Sequence, residues 1–330
     1  MLYKTIQIPI VLEIDNDILK NMDNILNKEH LYFESKVLIT SEELYLSYKN
    51  ILNKIRFKEI IYIKGGSFEE SNEISFSNDT SDSLLVAFGG GSVIDLVKVI
   101  AERFSLPYLT IPSALSNDSI YSPVARLNKR GRKRSFGVPP PIGIIADIEI
   151  LKTAPTVLQL SGVGDLVSNL SAIKDWKLAN KTCGETINYF AYTLSSQSAN
   201  AILSYKFEDI RSDSFIRDLT NGLIVSGLAM IIAKNTRPAS GSEHLISHAI
   251  DELYPDRATF HGLQVAWGQL IVESKFRGNN RDFSVLYEFF DKIGINKEIE
   301  SRINFSEAEI NNIIEKAKNI RKRYTILNIH

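Results

Sequence analysis

Residues 84–98 read LLVAFGGGSVIDLVK: five apolar residues, three glycines, a serine, and then apolar positions at helical spacing. The run LLVAF has the length and residue types of a buried strand, and the segment from Val93 to Phe104 has the periodicity of an amphipathic helix. The chain therefore turns from strand to helix through Gly89, Gly90 and Gly91. Glycine lets the backbone turn tightly and approach a ligand with no Cβ in the way, and unpaired N–H groups at a helix start can receive a pyrophosphate. The contiguous glycines are not a GxGxxG fingerprint, since Ile94 stands where its last glycine belongs. Nor is there the lysine and hydroxyl pair of a P-loop. A tight turn that binds nothing would use the same letters, so both readings stand here. Asp95 and Lys98, three apart on the helix, are expected to form an ordinary surface pair worth a few tenths of a kcal/mol, or Asp95 orients the ligand loop. Gly65 and Gly66 follow another apolar run and mark a simple turn or a second close approach.

Working outward, residues 36–40 (KVLIT), 59–63 (EIIYI), 108–111 and 143–146 are further short apolar runs, and 42–52 carries helical spacing. Strands alternating with helices give a parallel sheet covered by helices, so an open α/β domain is expected over residues 1–150. Residues 72–83 are polar and read as a surface connection. From 151 to 330 the texture becomes helical, with periodic stretches near 165–180, 184–207, 213–234, 243–252, 261–276, 281–293 and 306–321. Ser306 and Glu309 have the spacing of a capping box. No internal repeat appears.

The whole chain has 330 residues, 38 Lys plus Arg against 39 Asp plus Glu, and 44% hydrophobic residues. Such a balance supports two folded domains and gives no global attraction to nucleic acid or membrane. Cys183 stands alone and cannot make an intrachain disulfide. No uninterrupted apolar stretch reaches the roughly 18 residues of a membrane-spanning helix. A cytoplasmic protein is expected.

The second half holds the chemistry: Asp165 in GVGD, His244 and His248 in GSEHLISH, and His261 in FHG. Three of the five histidines fall within 244–261. His244 and His248 share a helix face, and one carboxylate with two imidazoles is a donor set for Zn²⁺ or Fe²⁺ that leaves a position for a substrate oxygen. The plainer alternative is half-buried, hydrogen-bonded histidines and an Asp165 that caps a helix after Gly164. The segment PSALSNDS at 112–119 either projects Asp118 toward the same chemistry or forms a surface turn. Arg126, Lys129, Arg130, Arg132, Lys133 and Arg134 put six cations in nine residues around a Gly131 suited to a hairpin turn. A solvated hairpin or a small phosphate site suits this lone cluster better than a nucleic-acid surface.

Taken together, GGGSVIDLVK (89–98), IPSALSNDSIYSPVA (111–125), PPIGIIADIEI (140–150), GVGDLVSNLSAIKDWKLA (162–179), RPASGSEHLISHAID (237–251) and HGLQVAWG (261–268) resemble the sn-glycerol-1-phosphate dehydrogenase family. That family lies within the dehydroquinate synthase-like and iron-containing alcohol dehydrogenase superfamily. The likeness spans about residues 84–268. It implies an N-terminal Rossmann-like α/β domain that binds NAD or NADP, an all-helical C-terminal metal-binding domain, and Zn²⁺ between them. It assigns Asp165, His244 and His261 to the metal, and Gly89, Gly90, Gly91, Ser92, Asp95, Thr110 and Ser113 to the cofactor. Asp118 and His248 become catalytic and substrate-site residues, with Lys133 or Arg134 on a substrate phosphate. The implied reaction is reversible reduction of dihydroxyacetone phosphate to sn-glycerol 1-phosphate by a homo-oligomer that engages neither nucleic acid nor membrane. Three positions depart from the pattern: Asn117 replaces a frequent histidine, Ser119 a usual glycine, and Leu263 an acidic residue. These departures keep open a related polyol-phosphate dehydrogenase, a sugar-phosphate cyclase, or a catalytically weak metal- or nucleotide-binding protein.

Overall fold

The computed structural model describes residues 8–76, 82–205, 209–278 and 280–329. It divides into two compact units, Met1–Leu115 with Ser119–Ala154, and Ser116–Asp118 with Pro155–His330.

Among the described residues the first unit has eight strands: β1 (Val11–Asp15), β2 (Ser35–Thr40), β3 (Glu59–Tyr62), β4 (Ser83–Gly89), β5 (Tyr108–Pro112), β6 (Val124–Lys129), β7 (Arg132–Gly137) and β8 (Gly143–Asp147). Helices α1 (Met22–Lys28), α2 (Glu42–Leu52), α3 (Phe68–Glu73), α4 (Gly91–Phe104) and α5 (Ile148–Thr153) complete it. Six strands pair in parallel in the order β1-β8-β5-β4-β2-β3. Every residue of β4, β5 and β8 is buried. This is why their runs are continuously apolar: a parallel sheet is covered on both faces. β1 is the strand that its residues did not announce, because Glu13 and Asp15 break the apolar run at a sheet edge. The stretch 72–83 falls partly outside the described residues, and its first two residues close α3.

The connection from β2 runs outward to β3, whereas that from β4 runs the other way to β5. The carboxyl ends of β2 and β4 therefore flank a topological switch point, the place where open α/β sheets bind ligands. The three glycines sit there. Gly131 turns the β6–β7 hairpin with φ of 75°, after Arg130 at 53°. The surface pair expected of Asp95 and Lys98 is instead a buried one. Lys98 is wholly buried, 3.1 Å from Asp95, and donates to Ser122 Oγ and the Val124 carbonyl. Asp95 accepts from the Arg126 amide. The helix after the glycines is thus tied to β6 by ionic hydrogen bonds that burial makes costly to break.

The second unit contains α6 (Thr156–Val167), α7 (Asn169–Cys183), α8 (Tyr189–Leu203), α9 (Asp213–Ala233), α10 (Ser242–Leu253), α11 (His261–Ile271), α12 (Asn280–Ile293), α13 (Ile295–Arg302) and α14 (Glu307–Ile320). α11 runs on into a π-helical segment, Val272–Arg277. The capping box of α14 forms, Ser306 Oγ accepting from the Glu309 amide and Glu309 accepting from the Ser306 amide. α9 is long and apolar enough to cross a membrane by composition, yet 61% of that window is buried inside the protein, as in a core helix. The periodic stretch from 165 proves to be two helices meeting at Ser168. The first begins nine residues earlier than its periodicity suggests, because Gly162 and Gly164 are poor helix formers.

Gly164 serves a crossing. A methyl group at Gly164 would overlap the Gly262 carbonyl, and one at Gly262 would overlap the Ser161 carbonyl. α6 and α11 touch backbone to backbone, which sets Asp165 beside His261 on the neighbouring helix. Gln264 fastens α11 to α10, donating to Ser247 O and Ser247 Oγ. We expect Gly262→Ala to force these helices apart at a cost of roughly 3 kcal/mol, read as a lower midpoint of urea unfolding.

Candidate functional site

In the second unit α6, α10 and α11 deliver one carboxylate and two imidazoles to a single point. Asp165, on the last turn of α6, is a helix-interior residue and not the cap of the plainer reading. Its Oδ1 lies 3.4 Å from His244 Nε2 and 3.8 Å from His261 Nε2. Ligand atoms of all three lie within 4.8 Å of one another. Metal bonds of about 2.1 Å in tetrahedral directions would put donors about 3.4 Å apart, so this trio can close on one ion with small side-chain movements.

The opposite nitrogen of each ring is braced. His244 Nδ1 lies 3.1 Å from Glu243 Oε1, and His261 Nδ1 lies 3.1 Å from Ser247 Oγ. These contacts aim both Nε2 atoms at Asp165, the outer arrangement that ligating histidines use. Glu243 is wholly buried and also accepts from the Gly241 amide at 2.6 Å. Burial alone would push the His244 imidazolium down, but hydrogen bonds and charge from Asp165 and Glu243 raise it to about 9. A metal ion would therefore displace a proton there. Glu243 and Ser247 were not singled out from sequence. Their signal was spacing, since each adjoins a histidine of GSEHLISH on the same buried helix.

The segment Ser116–Asp118 belongs to this unit. Ser161 Oγ donates to Ser116 O at 2.9 Å, and the Asp118 amide donates to Asp165 Oδ2 at 3.0 Å. Asp118 Oδ2 reaches Ser226 Oγ at 3.5 Å. Asp118 is thus brought to the cluster of Asp165, His244 and His261. His248 is 6% exposed, its ring centre 6.3 Å from that of His244 and 6.2 Å from that of His261. All three histidines of the interval converge. Leu263, where the resembling pattern carries an acid, is fully buried.

In the first unit Gly90 caps α4 without a side-chain hydrogen bond, and the space where its Cβ would stand is open to 4 Å. With no side-chain cap among the described residues, the start of α4 has the form of a helix N-terminus that can receive a pyrophosphate. The Ser113 amide donates to Gly89 O at 3.0 Å and so ties the end of β5 to this loop. Thr110 is fully buried within β5, its hydroxyl without a partner among the described residues. Lys133 and Arg134 lie exposed on β7. The hairpin also gathers aromatics that the letters did not connect: Phe68 and Phe136 stack at 4.8 Å, with Lys129 Nζ 3.8 Å over Phe68.

Residues 13–155 match the family described as iron-containing alcohol dehydrogenase. A glycerol-1-phosphate dehydrogenase [NAD(P)+] of Pyrococcus horikoshii is 42% identical over 62% of this chain, and the match spans 59% of that relative's length. The corresponding protein of Archaeoglobus fulgidus is 32% identical over 99% of this chain and 94% of its own. A glycerol dehydrogenase structure from Schizosaccharomyces pombe superimposes with a TM-score of 0.79 at 17% identity, covering 99% of this chain and 86% of that one, and so shares its fold. On that end-to-end likeness to the Archaeoglobus protein, the chain belongs to the glycerol-1-phosphate dehydrogenase family.

Proposed function

We propose that this chain catalyses the NAD(P)-dependent, reversible reduction of dihydroxyacetone phosphate to sn-glycerol 1-phosphate, with Zn²⁺ held by Asp165, His244 and His261. What carries the reading is the convergence of one carboxylate oxygen and two braced Nε2 atoms in a chain of this family. A bound divalent ion supplies Lewis acidity toward the ketone oxygen, and the nicotinamide supplies hydride.

The chain's own residues do the rest. Gly89, Gly90, Gly91 and Ser92 receive the pyrophosphate, Asp95 holds α4 in place through Lys98 and the Arg126 amide, and Thr110 and Ser113 complete the cofactor's bed. Reduction of a ketone consumes one hydride and one proton. His248 gives that proton from a ring nitrogen to the oxygen of the product, and Asp118 helps to orient the substrate's hydroxyl group. The Asp118 amide also fixes Asp165 Oδ2, leaving Oδ1 to face the histidines. Lys133 and Arg134 are neighbours on a strand and point to opposite faces, so one of them, not both, meets the substrate phosphate. An exposed lone thiol, Cys183, suits a reducing cytoplasm, where we expect the enzyme to work on this small substrate as a homo-oligomer.

Purified, zinc-loaded protein should consume NADH or NADPH with dihydroxyacetone phosphate and release the 1-phosphate enantiomer. Absence of turnover with bound zinc and either nucleotide would reject the assignment. Asp165→Ala, His244→Ala and His261→Ala should each lose zinc by elemental analysis, while His248→Ala keeps zinc and loses turnover. Glu243→Gln should weaken zinc binding about 10- to 100-fold in chelator competition, with all three ligands still present. Of Lys133→Ala and Arg134→Ala, one should raise the KM for the phosphorylated ketone and the other should leave it unchanged.

A further inference from the structure

The turn between β3 and α3 is held in an unusual way. The amides of Lys64, Gly65 and Gly66 all donate to the carboxylate of Glu70, at 2.5, 3.1 and 2.8 Å. Glu70's own amide donates to Ser67 Oγ, the cap of α3. An N3 glutamate ordinarily reaches back to one N-cap amide. Here it gathers the three amides before the cap, filling an anion-binding concavity from within the chain. Partial burial pulls the Glu70 carboxyl up, but these backbone donors outweigh it and hold the group below the usual carboxylate range.

The consequence lies one residue further on. Gly66 is buried at φ 69°, a left-handed conformation that disfavours any side chain. A Cβ there would stand 2.9 Å from Ser92 O. The turn fixed by Glu70 therefore lies close against the first turn of α4, at the end of the glycine run. Glu70 itself is remote in sequence from that run, and the reduction described above does not use it.

The geometry points to Glu70 as a positioning residue for the pyrophosphate loop: its carboxylate locks residues 64–66 so that Gly66 buttresses Ser92 and keeps the amides of the glycine run aimed at the dinucleotide. This rests on the reading of the glycine run as the nucleotide site. α3 has other anchors that survive loss of the carboxylate. Arg103 donates to Ser71 O and Ile74 O, the Arg130 amide donates to Glu69, and Phe68 stacks on Phe136.

The experiment compares wild type, Glu70→Ala, Glu70→Gln and Gly66→Ala, all loaded with zinc. Nucleotide dissociation constants come from titration calorimetry with NADH and NADPH, alongside the KM for dihydroxyacetone phosphate, kcat at saturating nucleotide, and zinc content. Glu70→Ala should weaken nucleotide binding roughly tenfold, within the range that misplacement of a positioning element costs. Glu70→Gln, keeping one acceptor oxygen, should weaken it less. Zinc content, ketone KM and kcat at saturation should stay within about twofold of wild type, as a general loss of structure would not allow. Gly66→Ala disturbs the same contact from its other side and should reproduce the nucleotide-specific loss even if Glu70→Ala folds poorly. Unchanged nucleotide affinity in folded Glu70→Ala or in Gly66→Ala, or an equal fall in zinc, ketone and nucleotide binding, would overturn the role of Glu70 alone. A wild type that bound neither nucleotide would overturn the site reading and this inference with it.

Discussion

The convergence of Asp165, His244 and His261 depends on how closely two helices can approach. Asp165 and His261 lie almost a hundred positions apart in sequence, on helices that meet where Gly164 faces the Gly262 carbonyl and Gly262 faces the Ser161 carbonyl. Helices carrying ordinary side chains keep their axes 8 to 10 Å apart. Contact of main chain with main chain brings the following or preceding side chain, here a carboxylate and an imidazole, to a common point. Glycine inside a helix costs about 1 kcal/mol relative to alanine, so α6 gives up local stability at Gly164 and recovers a fixed donor geometry.

Orientation is then a matter of electrostatics. Two imidazoles near a buried carboxylate could turn in several ways, and their second nitrogens decide which way they face. Glu243 and Ser247 make that decision, the first as a charged acceptor buried without exposure, the second as a hydroxyl also held by Gln264. The same principle recurs in the first unit with backbone in place of rings. Asp95 and Lys98 hold the helix after the glycines, and Glu70 holds the turn beside it. In both units, buried or half-buried carboxylates fix the orientation of neighbouring groups through hydrogen bonds.

Much of this was legible in the letters. The continuous apolar runs of β4, β5 and β8 declared a parallel sheet covered by helices, and the glycine run marked the strand-to-helix turn. The capping box of α14 and the Gly131 hairpin were equally plain, since both rest on local chemistry. Legibility failed where the signal was not local. β1 is disguised by the charges that an edge strand tolerates. The start of α6 is hidden by Gly162 and Gly164, the second of which makes a contact with residue 262. Asp95 and Lys98 look like a surface pair because charge in a sequence says nothing about burial. Glu243 and Glu70 were silent for a related reason: an acidic residue beside a histidine or early in a helix is commonplace, and only the partners of its oxygens reveal its use.

The residues Ser116–Asp118 carry one more implication. They stand between stretches that belong to the α/β unit, yet they are counted with the helices, through Ser161 and Asp165. The helical unit is therefore not a contiguous piece of the gene product. A boundary drawn at a single peptide bond, however well it divides the two architectures, would strip the donor from Asp165 Oδ2, so neither part inherits the complete chemistry by simple scission. Because the tripeptide contributes main-chain atoms to both bonds, recombination between relatives would keep them wherever the exchanged segment followed the same backbone path.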